Sequence, residues 1–348
     1  MKDKTRVAII GCGVIGPLHA ECFNANDDAE VVWVCDLISE KAQQLAEKTG
    51  SDVKWTTNYK DVLNADDVDA VSVCTDHASH ADIFVESLEH GKDTLCEKPL
   101  AQNSENLDKM LAAKARHPER ICGGVFQHRF DPIYVELHDI ISSGALGTLL
   151  NANTQLRCYR SDSYYTDTPW RGTWKDEGGS VLINQAIHYI DQLLWHTGDE
   201  DKIKGTVKNI AHRNVIETED CAAAFLEFKC GAVGTIEVTS ASHLDWFSRI
   251  SFFGTDGSIE ITGDKQIFVK TKDKEQEDLI LKRLEAALEP IQPAVTGKKY
   301  YGPGHFAQVA DFIEAVRERR EPSVTLESAA ETLRAVFAIY DTTRQAGQ

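Results

Sequence analysis

The chain is short of positive charge. Its 348 residues include 37 Lys and Arg against 55 Asp and Glu, so the formal net charge at pH 7 is −18. A surface this acidic repels the phosphates of nucleic acids and the headgroups of anionic lipids. The composition therefore argues against nucleic-acid binding and against attachment to a membrane surface.

Long apolar runs and cysteine motifs are also missing. No apolar run approaches the roughly 18 residues of a membrane span, and the apolar residues 7–10 are too few for a signal-peptide core. The nine cysteines are an odd number, and none has C-x-x-C spacing. A complete disulfide framework and a zinc site are therefore not indicated, and no metal is expected. Scattered thiols are typical of a reducing compartment, so we expect a cytoplasmic protein.

The first 123 residues alternate short apolar runs with longer amphipathic ones. This alternation predicts an α/β domain, a parallel sheet with helices on both faces. The predicted strands are residues 6–10, 31–35, 70–74, 94–96 and 121–126, and the predicted helices lie around residues 17–26, 40–49, 79–90 and 104–116.

Residues 124–348 follow a different pattern. Strand-like runs separated by turn signals predict a second, α+β domain with a mostly antiparallel sheet. The predicted strands are residues 149–157, 203–211, 222–228, 233–239, 250–253 and 258–262, and the predicted helices are residues 181–196, 305–319 and 326–344. The charged residues 270–277 are expected to form a solvated turn. We therefore predict two domains, 1–123 and 124–348.

A glycine-rich loop follows the first predicted strand and reads Gly11-Cys12-Gly13-Val14-Ile15-Gly16. Gly11 permits a tight turn, Gly13 lets the backbone approach a pyrophosphate, and Gly16 allows close packing of helix on strand. The helix that follows begins with Pro17, and its N-terminus supplies N–H donors to phosphates. The loop therefore predicts a dinucleotide site.

The second predicted strand ends in Asp36, 20 residues after Gly16. A carboxylate at this place accepts hydrogen bonds from the adenosine ribose. It also repels a 2′-phosphate, and Leu37 and Ile38 offer no guanidinium to bind one. NAD is therefore favoured over NADP, although Lys41 lies one helical turn further on.

Lys98 follows the predicted strand at residues 94–96, within Glu97-Lys98-Pro99. Ligands of open α/β sheets bind outside the carboxyl ends of the strands. A lysine there can donate to a substrate hydroxyl and stabilise the alkoxide as hydride leaves. The alternative is a surface lysine before a helix-initiating proline.

The predicted helix at residues 181–196 carries Asn184, His188 and Asp191 at positions i, i+4 and i+7, along one stripe. These side chains have acid–base or hydrogen-bonding ability. The alternative is a core histidine whose imidazole is satisfied by Asp191.

Together these motifs resemble the glucose–fructose oxidoreductase/inositol dehydrogenase (Gfo/Idh/MocA) family. The matching elements, in the family's order, are Gly11–Gly16 with Asp36, Thr75 with His80, Glu97-Lys98-Pro99, Arg129-Phe130-Asp131-Pro132, and Gly178-Gly179 with His188 and Asp191. The resemblance implies a Rossmann domain for NAD and a second domain with a large open sheet for substrate and oligomerisation. It implies NAD contacts from Thr75, His80, Glu97 and Lys98, and it maps the catalytic lysine and histidine onto Lys98 and His188.

The sequence departs from the family at two places. Asn184 stands where the family often has Asp, and an amide cannot stabilise an imidazolium as a carboxylate does, so His188 is expected to be a weaker base unless Asp191 helps. Asn184-Gln185, with the segment 170–174, resembles the branch that acts on nucleotide-linked or otherwise substituted sugars. Asp76-His77 replaces the family's usual Pro-Asn.

Four further residues are predicted to contact ligands. Gln127 ends the last Rossmann strand and is expected to bind the nicotinamide carboxamide. Arg171, with Trp170, is expected to close over the cofactor or over a substrate phosphate or carboxylate; the alternative is that both side chains only pack within the protein. Arg157 and His305 are expected to contact the substrate, with Tyr300 and Tyr301 beside His305.

The sequence as a whole predicts an NAD-dependent oxidoreductase that transfers a hydride between nicotinamide and a hydroxyl-bearing carbon of a sugar, sugar derivative or inositol. His188 is the predicted general base, Lys98 polarises the substrate oxygen, and Asn184 orients substrate or imidazole. One alternative is a hydrolase or lyase that holds NAD tightly and oxidises its sugar transiently. Another is a non-catalytic NAD-binding sensor. We expect a homodimer or homotetramer packed sheet on sheet.

Overall fold

The computed structural model describes residues 4–243, 246–263, 265–288 and 304–346. These residues group into two compact units. The first contains residues 4–130 and 304–330, and the second contains residues 131–288 and 331–346. Each unit is built on one sheet.

The sheet of the first unit is parallel and has six strands in the order β3-β2-β1-β4-β5-β6. The strands are β1 Thr5–Ile10, β2 Ala29–Cys35, β3 Lys54–Thr56, β4 Ala70–Val73, β5 Asp93–Cys96 and β6 Cys122–Gly124. Its central strands are continuous apolar runs because both faces are buried. The strand order reverses beside β1, which is the switch point where such sheets bind ligands. The five strands expected from the sequence are confirmed, and β3 was missed.

The helices of this unit flank the sheet. They are α1 Gly16–Asn24, α2 Ser39–Thr49, α3 Tyr59–Leu63, α4 His77–Glu89, α5 Ser104–Arg116 and α10 Gly304–Glu318. Helix α10 was assigned from the sequence to the second domain. In the structure its Val309, Phe312 and Ile313 are buried in the same apolar core as Val7 and Ile9 of β1. Residues 304–330 therefore group with the first unit because this apolar face is buried there.

The sheet of the second unit has seven strands in the order β13-β12-β11-β7-β10-β9-β8, in which only β7 and β10 pair in parallel. The strands are β7 Leu149–Arg157, β8 Glu200–Lys208, β9 Cys221–Phe228, β10 Val233–Thr239, β11 Phe247–Gly254, β12 Gly257–Thr262 and β13 Gln266–Thr271. Buried and exposed residues alternate along β9 and β10 because one face of the sheet is packed. The predicted mostly antiparallel sheet is confirmed.

The expected solvated turn at residues 270–277 is wrong. This segment ends the edge strand β13 and begins helix α9, and Asp273 caps that helix by accepting from the Glu275 amide at 3.0 Å. Charge misled the prediction because both elements are half-exposed. The other helices of this unit are α6 Pro132–Ser142, α7 Asp162–Thr166 and α8 Ile187–Thr197, with α9 spanning Lys274–Ala286 and the last helix, α11, spanning Leu326–Ala346.

Helix α8 is preceded by a π-helical turn, Val181–Gln185. The sequence predicted one regular helix here. The wider turn places Asn184 in the π turn and His188 at the start of α8, and both side chains are half-buried. Such π turns are frequent at functional sites.

A buried carboxylate fixes the entry to this turn. One oxygen of Glu219, Oε1, accepts hydrogen bonds from the amides of Ser180 and Leu182, both at 3.0 Å, and from the Tyr340 hydroxyl at 2.9 Å. Gly179 packs against Tyr340 so closely that a Cβ at residue 179 would overlap the hydroxyl. The π turn is therefore tied to helix α11.

A second buried carboxylate, Glu177, lies at the start of the same segment. It accepts from the Gly172 amide and from Nδ2 of Asn184, the latter at 2.6 Å. Burial raises the pKa of Glu177 to about 7 and the pKa of Glu219 to about 7. Both carboxyls are therefore partly protonated near neutral pH.

No helix in the described part of the chain is long and apolar enough to cross a membrane. All nine cysteines lie in that part, and each is a free thiol.

The raised pKa of the Glu219 carboxyl predicts that the free energy of unfolding falls as pH rises. The folded chain holds a proton that the unfolded chain releases near pH 4.5. The free energy of unfolding is therefore greatest at low pH on this account, and it falls as pH rises from about 5 to about 8, by at most about 3 kcal/mol. Glu219→Gln keeps one acceptor oxygen and cannot ionise, so its stability should fall less over this range.

Urea unfolding of both proteins between pH 5 and pH 8.5 measures the difference. Glu217→Gln, two residues away in an exposed position, is the matched control and should follow the wild-type profile. Parallel profiles for wild type and Glu219→Gln would contradict the assignment.

Candidate functional site

The glycine-rich loop at the end of β1 has the shape that a dinucleotide requires. Gly11 has a φ of 103°, and a Cβ there would press on the Cys74 backbone. A Cβ on Gly16 would overlap the carbonyl oxygen of Gly11. Gly13 is exposed, and among the described residues no atom outside its chain neighbours lies within 4 Å of where its Cβ would stand. The loop is therefore closely packed at Gly11 and Gly16 and open at Gly13, as the close approach of a pyrophosphate requires.

Asp36 lies directly beside this loop. Its Oδ2 accepts from the Cys12 amide at 2.8 Å, and its Oδ1 accepts from the Ile38 amide at 2.9 Å. These bonds fix a half-buried carboxylate at the tip of β2. Burial, aided by the charge of Asp36, raises the pKa of Cys12 to about 12, so its thiol stays neutral and the residue serves the loop through its backbone. Val14 is exposed and Ile15 is half-buried. The residues present fit a nicotinamide dinucleotide.

The Lys98 segment is anchored by the buried pair of Glu97 and His19. Nε2 of His19 lies 2.9 Å from Oε1 of Glu97, while Oε2 of Glu97 accepts from the Lys98 amide at 3.0 Å. Burial opposes the charge on Glu97, but the hydrogen bond and charge of His19 hold its pKa at about 2. The buried ion pair therefore sets the backbone from which the half-buried Lys98 side chain extends.

The predicted pair of Thr75 and His80 is brought together by the structure. Nδ1 of His80 lies 2.8 Å from the Pro99 carbonyl oxygen, and Nε2 lies 3.2 Å from that of Thr75. Burial lowers the pKa of His80, so the neutral ring has one N–H and donates it to one of these two carbonyl oxygens, while its other nitrogen packs against the second. His80 therefore links the loop after β4 to the loop after β5.

In the second unit, Asn184 is oriented by Glu177 behind it. Because Nδ2 of Asn184 donates to Glu177, the amide orientation is set by a residue that is itself fully buried. A carboxylate is thus present in this region, one layer behind the position where the family often carries Asp. Asp191 is buried and accepts from Oγ1 of Thr332 at 2.8 Å.

A cluster of aromatic and guanidinium groups borders Asn184, which we call the Tyr164 cluster. It consists of Arg160, Tyr164, Trp170, Arg171 and Trp246. The Arg171 and Arg160 guanidinium carbons lie 4.1 and 4.9 Å from the centre of the Tyr164 ring. They also lie 5.4 Å from the Trp170 ring and 5.1 Å from the Trp246 ring, respectively. The predicted Arg171 is therefore held by stacking.

Three other predicted residues have different surroundings. Gln127 is buried in a 3₁₀ turn, Gln127–Phe130, that follows β6. Arg157 lies on the second sheet, where its guanidinium pairs with Glu237 at 2.6 Å. His305 is buried in the first unit, its ring 6.0 Å from that of His19, and His19, Glu97 and His305 bring potential ligand atoms within 4.8 Å of one another. Tyr300 and Tyr301 lie outside the described residues.

Sequence reasoning missed four residues of this region: Arg160, Tyr164, Glu177 and Glu219. Glu177 precedes Gly178-Gly179 directly, so its place before the helix was a usable signal. The sequence around Arg160 and Glu219 gives no such signal. Glu219 reaches the π turn, and Arg160 reaches Tyr164, from segments that are distant in the chain or in other loops.

Comparison with known proteins gives relatives of similar length. Scyllo-inositol 2-dehydrogenase (NAD(+)) of Bacillus subtilis is 27% identical over 329 residues, covering 93% of this chain and 90% of the relative. Myo-inositol 2-dehydrogenase of Thermotoga maritima is 25% identical over 325 residues, covering 92% and 91%. The crystal structure of the WlbA dehydrogenase from Bordetella pertussis, in complex with NADH and UDP-GlcNAcA, matches with a TM-score of 0.88 and 25% identity over 99% of this chain and 97% of that one.

Family profiles match both halves of the sequence. Residues 5–124 match the oxidoreductase family described as having an NAD-binding Rossmann fold, and residues 134–260 match the GFO/IDH/MocA C-terminal domain. The two matches agree with the parallel sheet of the first unit, its dinucleotide loop and the largely antiparallel sheet of the second. The chain therefore belongs to the Gfo/Idh/MocA family and is an NAD-dependent oxidoreductase.

Proposed function

We propose that this oxidoreductase transfers a hydride between NAD and a hydroxyl-bearing carbon of a sugar, sugar derivative or inositol. The observation that carries the proposal is the half-buried pair of Asn184 and His188 at the π turn, with Asn184 oriented by Glu177. The similar dehydrogenases named for inositols, and the one crystallised with a nucleotide-linked sugar acid, support the substrate class.

Each unit has its own part in the proposal. The first, with the sequence boundary near residue 123, binds NAD, and the second binds substrate. The pyrophosphate is assigned to Gly11–Gly16, and the ribose to Asp36. The nicotinamide end is assigned to the residues that follow the strands, namely Thr75, His80, Glu97, Lys98 and Gln127. When bound, NAD accepts or supplies the hydride.

The chain's own residues handle the proton and the charge on oxygen. His188 takes the hydroxyl proton as general base. The Lys98 ammonium donates to the substrate oxygen as negative charge develops there. Asn184, fixed through Nδ2, presents its carbonyl oxygen at a set angle to substrate or imidazole. Arg157 and His305 remain predicted substrate contacts.

The outer face of the second sheet supports the proposal of a homo-oligomer. Phe225, Val233, Phe253 and Phe268 share this face by strand register, and their exposed fractions run from 37% to 59%. Apolar surface of this kind favours a partner, and we propose a second copy of the chain. Light scattering should give the mass of a dimer or tetramer, and a monomeric mass would contradict the proposal.

Asp36→Ala tests the ribose contact. Loss of an ionised acceptor should weaken NAD binding roughly 10- to 100-fold, and loss of its negative charge should improve the relative affinity for NADP. Titration calorimetry with both cofactors measures the two effects. Asp27→Ala removes an exposed carboxylate from the same unit and should change neither affinity. Unchanged affinities in Asp36→Ala would place the ribose elsewhere.

Lys98→Met and His188→Ala test the chemistry, with turnover followed by the absorbance of reduced nicotinamide over a panel of inositols and sugars. Lys98→Met should lose at least about 100-fold in turnover. Its effect on NAD affinity should be much smaller, because the proposed pyrophosphate and ribose contacts remain. His188→Ala should lose roughly 10²- to 10⁴-fold, together with the pH-dependent limb of the rate profile. Lys109→Met, an exposed lysine of α5, is the control.

The same assay separates the proposal from its alternatives. Sustained release of NADH with the wild-type protein is expected of a dehydrogenase. Consumption of substrate without release of NADH would point to the redox-neutral hydrolase or lyase. Tight NAD binding with no turnover on any substrate would point to the sensor.

A further inference from the structure

We propose that Arg160 and Arg171 of the Tyr164 cluster form a subsite for an anionic group of the substrate, a carboxylate or a phosphate. The inference rests on the proposed function and adds a substrate class to it, that of negatively charged sugar derivatives. The cluster lies next to the π turn. Nε2 of Gln185 donates to the Tyr164 hydroxyl at 3.1 Å, and Nδ2 of Asn184 lies 3.5 Å from the same oxygen.

The two guanidinium groups are close to the same ring and carry the same charge. In the described part of the chain, neither lies within 4 Å of a carboxylate oxygen, whereas Arg157 and Arg249 of the neighbouring sheet pair with Glu237 and Glu260. Two like charges near one ring repel each other, and an anion bound to both removes that repulsion.

The hydrogen bonds of the two arginines leave donors for a ligand. One terminal nitrogen of Arg171 donates to the Tyr164 carbonyl at 3.0 Å, and one of Arg160 donates to the Tyr159 carbonyl at 3.2 Å. These bonds and the aromatic stacking hold each guanidinium in place. A stacked guanidinium keeps its in-plane N–H groups, which match the two oxygens of a carboxylate or phosphate.

Glu177 forms no salt bridge with either arginine. Glu177 contributes to the electrostatics of Arg171, but its oxygens accept from the Gly172 amide and from Asn184. Arg160, Tyr164 and Arg171 are all half-buried, so a ligand can approach them. A neutral polyol needs no such charge, whereas a sugar acid or a sugar phosphate does.

Binding to the full-length protein with saturating NAD tests the subsite. The probes are D-glucuronate for the carboxylate, glucose 6-phosphate for the phosphate monoester and UDP-glucose for the diphosphate, each compared with neutral D-glucose. At least one anionic probe should bind more tightly than glucose. Arg160→Met and Arg171→Met should each weaken that binding roughly 10- to 100-fold, the range for a hydrogen bond to a charged group, and leave glucose binding unchanged.

Two controls keep the outcome specific. Arg249→Met removes an arginine that stacks on Phe247 in the same unit but is paired with Glu260, and it should bind every probe as the wild type does. Arg171→Lys keeps the charge without the planar fork, so it should fall between wild type and Arg171→Met and covers the case in which the methionine variant does not fold. For a probe that is oxidised, the Michaelis constant should rise with little change in kcat.

The results separate this proposal from the proposed function. The anionic probe that responds to the arginine variants identifies the group bound. Failure of every anionic probe to bind better than glucose, or an equal loss for anionic and neutral probes, would overturn the subsite. Anion binding that depends on Arg171 without oxidation of any probe would leave the subsite standing and count against a dehydrogenase. Oxidation of neutral sugars at a rate unchanged by substitution of either arginine would support the dehydrogenase and count against the subsite.

Discussion

One carboxyl oxygen fixes the entry to the π turn of the second unit and ties it to the last helix. Oε1 of Glu219 accepts two backbone amides and one hydroxyl, and these three donors come from the π turn and from helix α11. A buried carboxylate that collects several donors is far more constraining than the same bonds made in water, because the low local dielectric strengthens each of them. The π turn that carries Asn184, and with it the start of the helix that carries His188, therefore depends on this buried carboxyl.

Other acidic side chains also hold irregular segments by accepting hydrogen bonds from backbone amides. Asp36 holds the amides of Cys12 and Ile38, and Glu97 holds the Lys98 amide. Asp220 accepts from three successive amides, those of Ile210, Ala211 and His212. The excess of acidic residues thus has an internal use. Charge-assisted bonds to backbone N–H groups fix irregular segments that neither helix nor sheet can hold.

Much of the fold and part of the site could be predicted from the sequence, because the signals are local. The strand, glycine loop and acidic residue around Gly11 and Asp36 lie in one stretch of chain, and most strands of both sheets follow from apolar periodicity. Strand β13 was missed because no residue along it is buried. The burial of helix α10 in the core of the first unit could not be predicted, because periodicity shows an apolar face and not the core that receives it.

The rest of the candidate site depends on contacts between distant segments. The wider π turn changes the angular spacing between Asn184 and His188, and no propensity scale registers one extra residue in a turn. Arg160 follows β7 and Arg171 lies in a loop, and what they share is a contact with the Tyr164 ring. Pairing of this kind follows from tertiary structure, and residue types alone do not indicate it.

The contact between Gly179 and Tyr340 has a consequence for how this sequence varies. A methyl group at residue 179 has no room while the Tyr340 ring is present, and that ring supplies one of the three donors to Glu219. Residues 179, 219 and 340, far apart in the chain, are therefore expected to vary together in evolution. Exchange of one alone is disfavoured, so a lineage that changes residue 179 is expected to change residue 340 of the last helix at the same time.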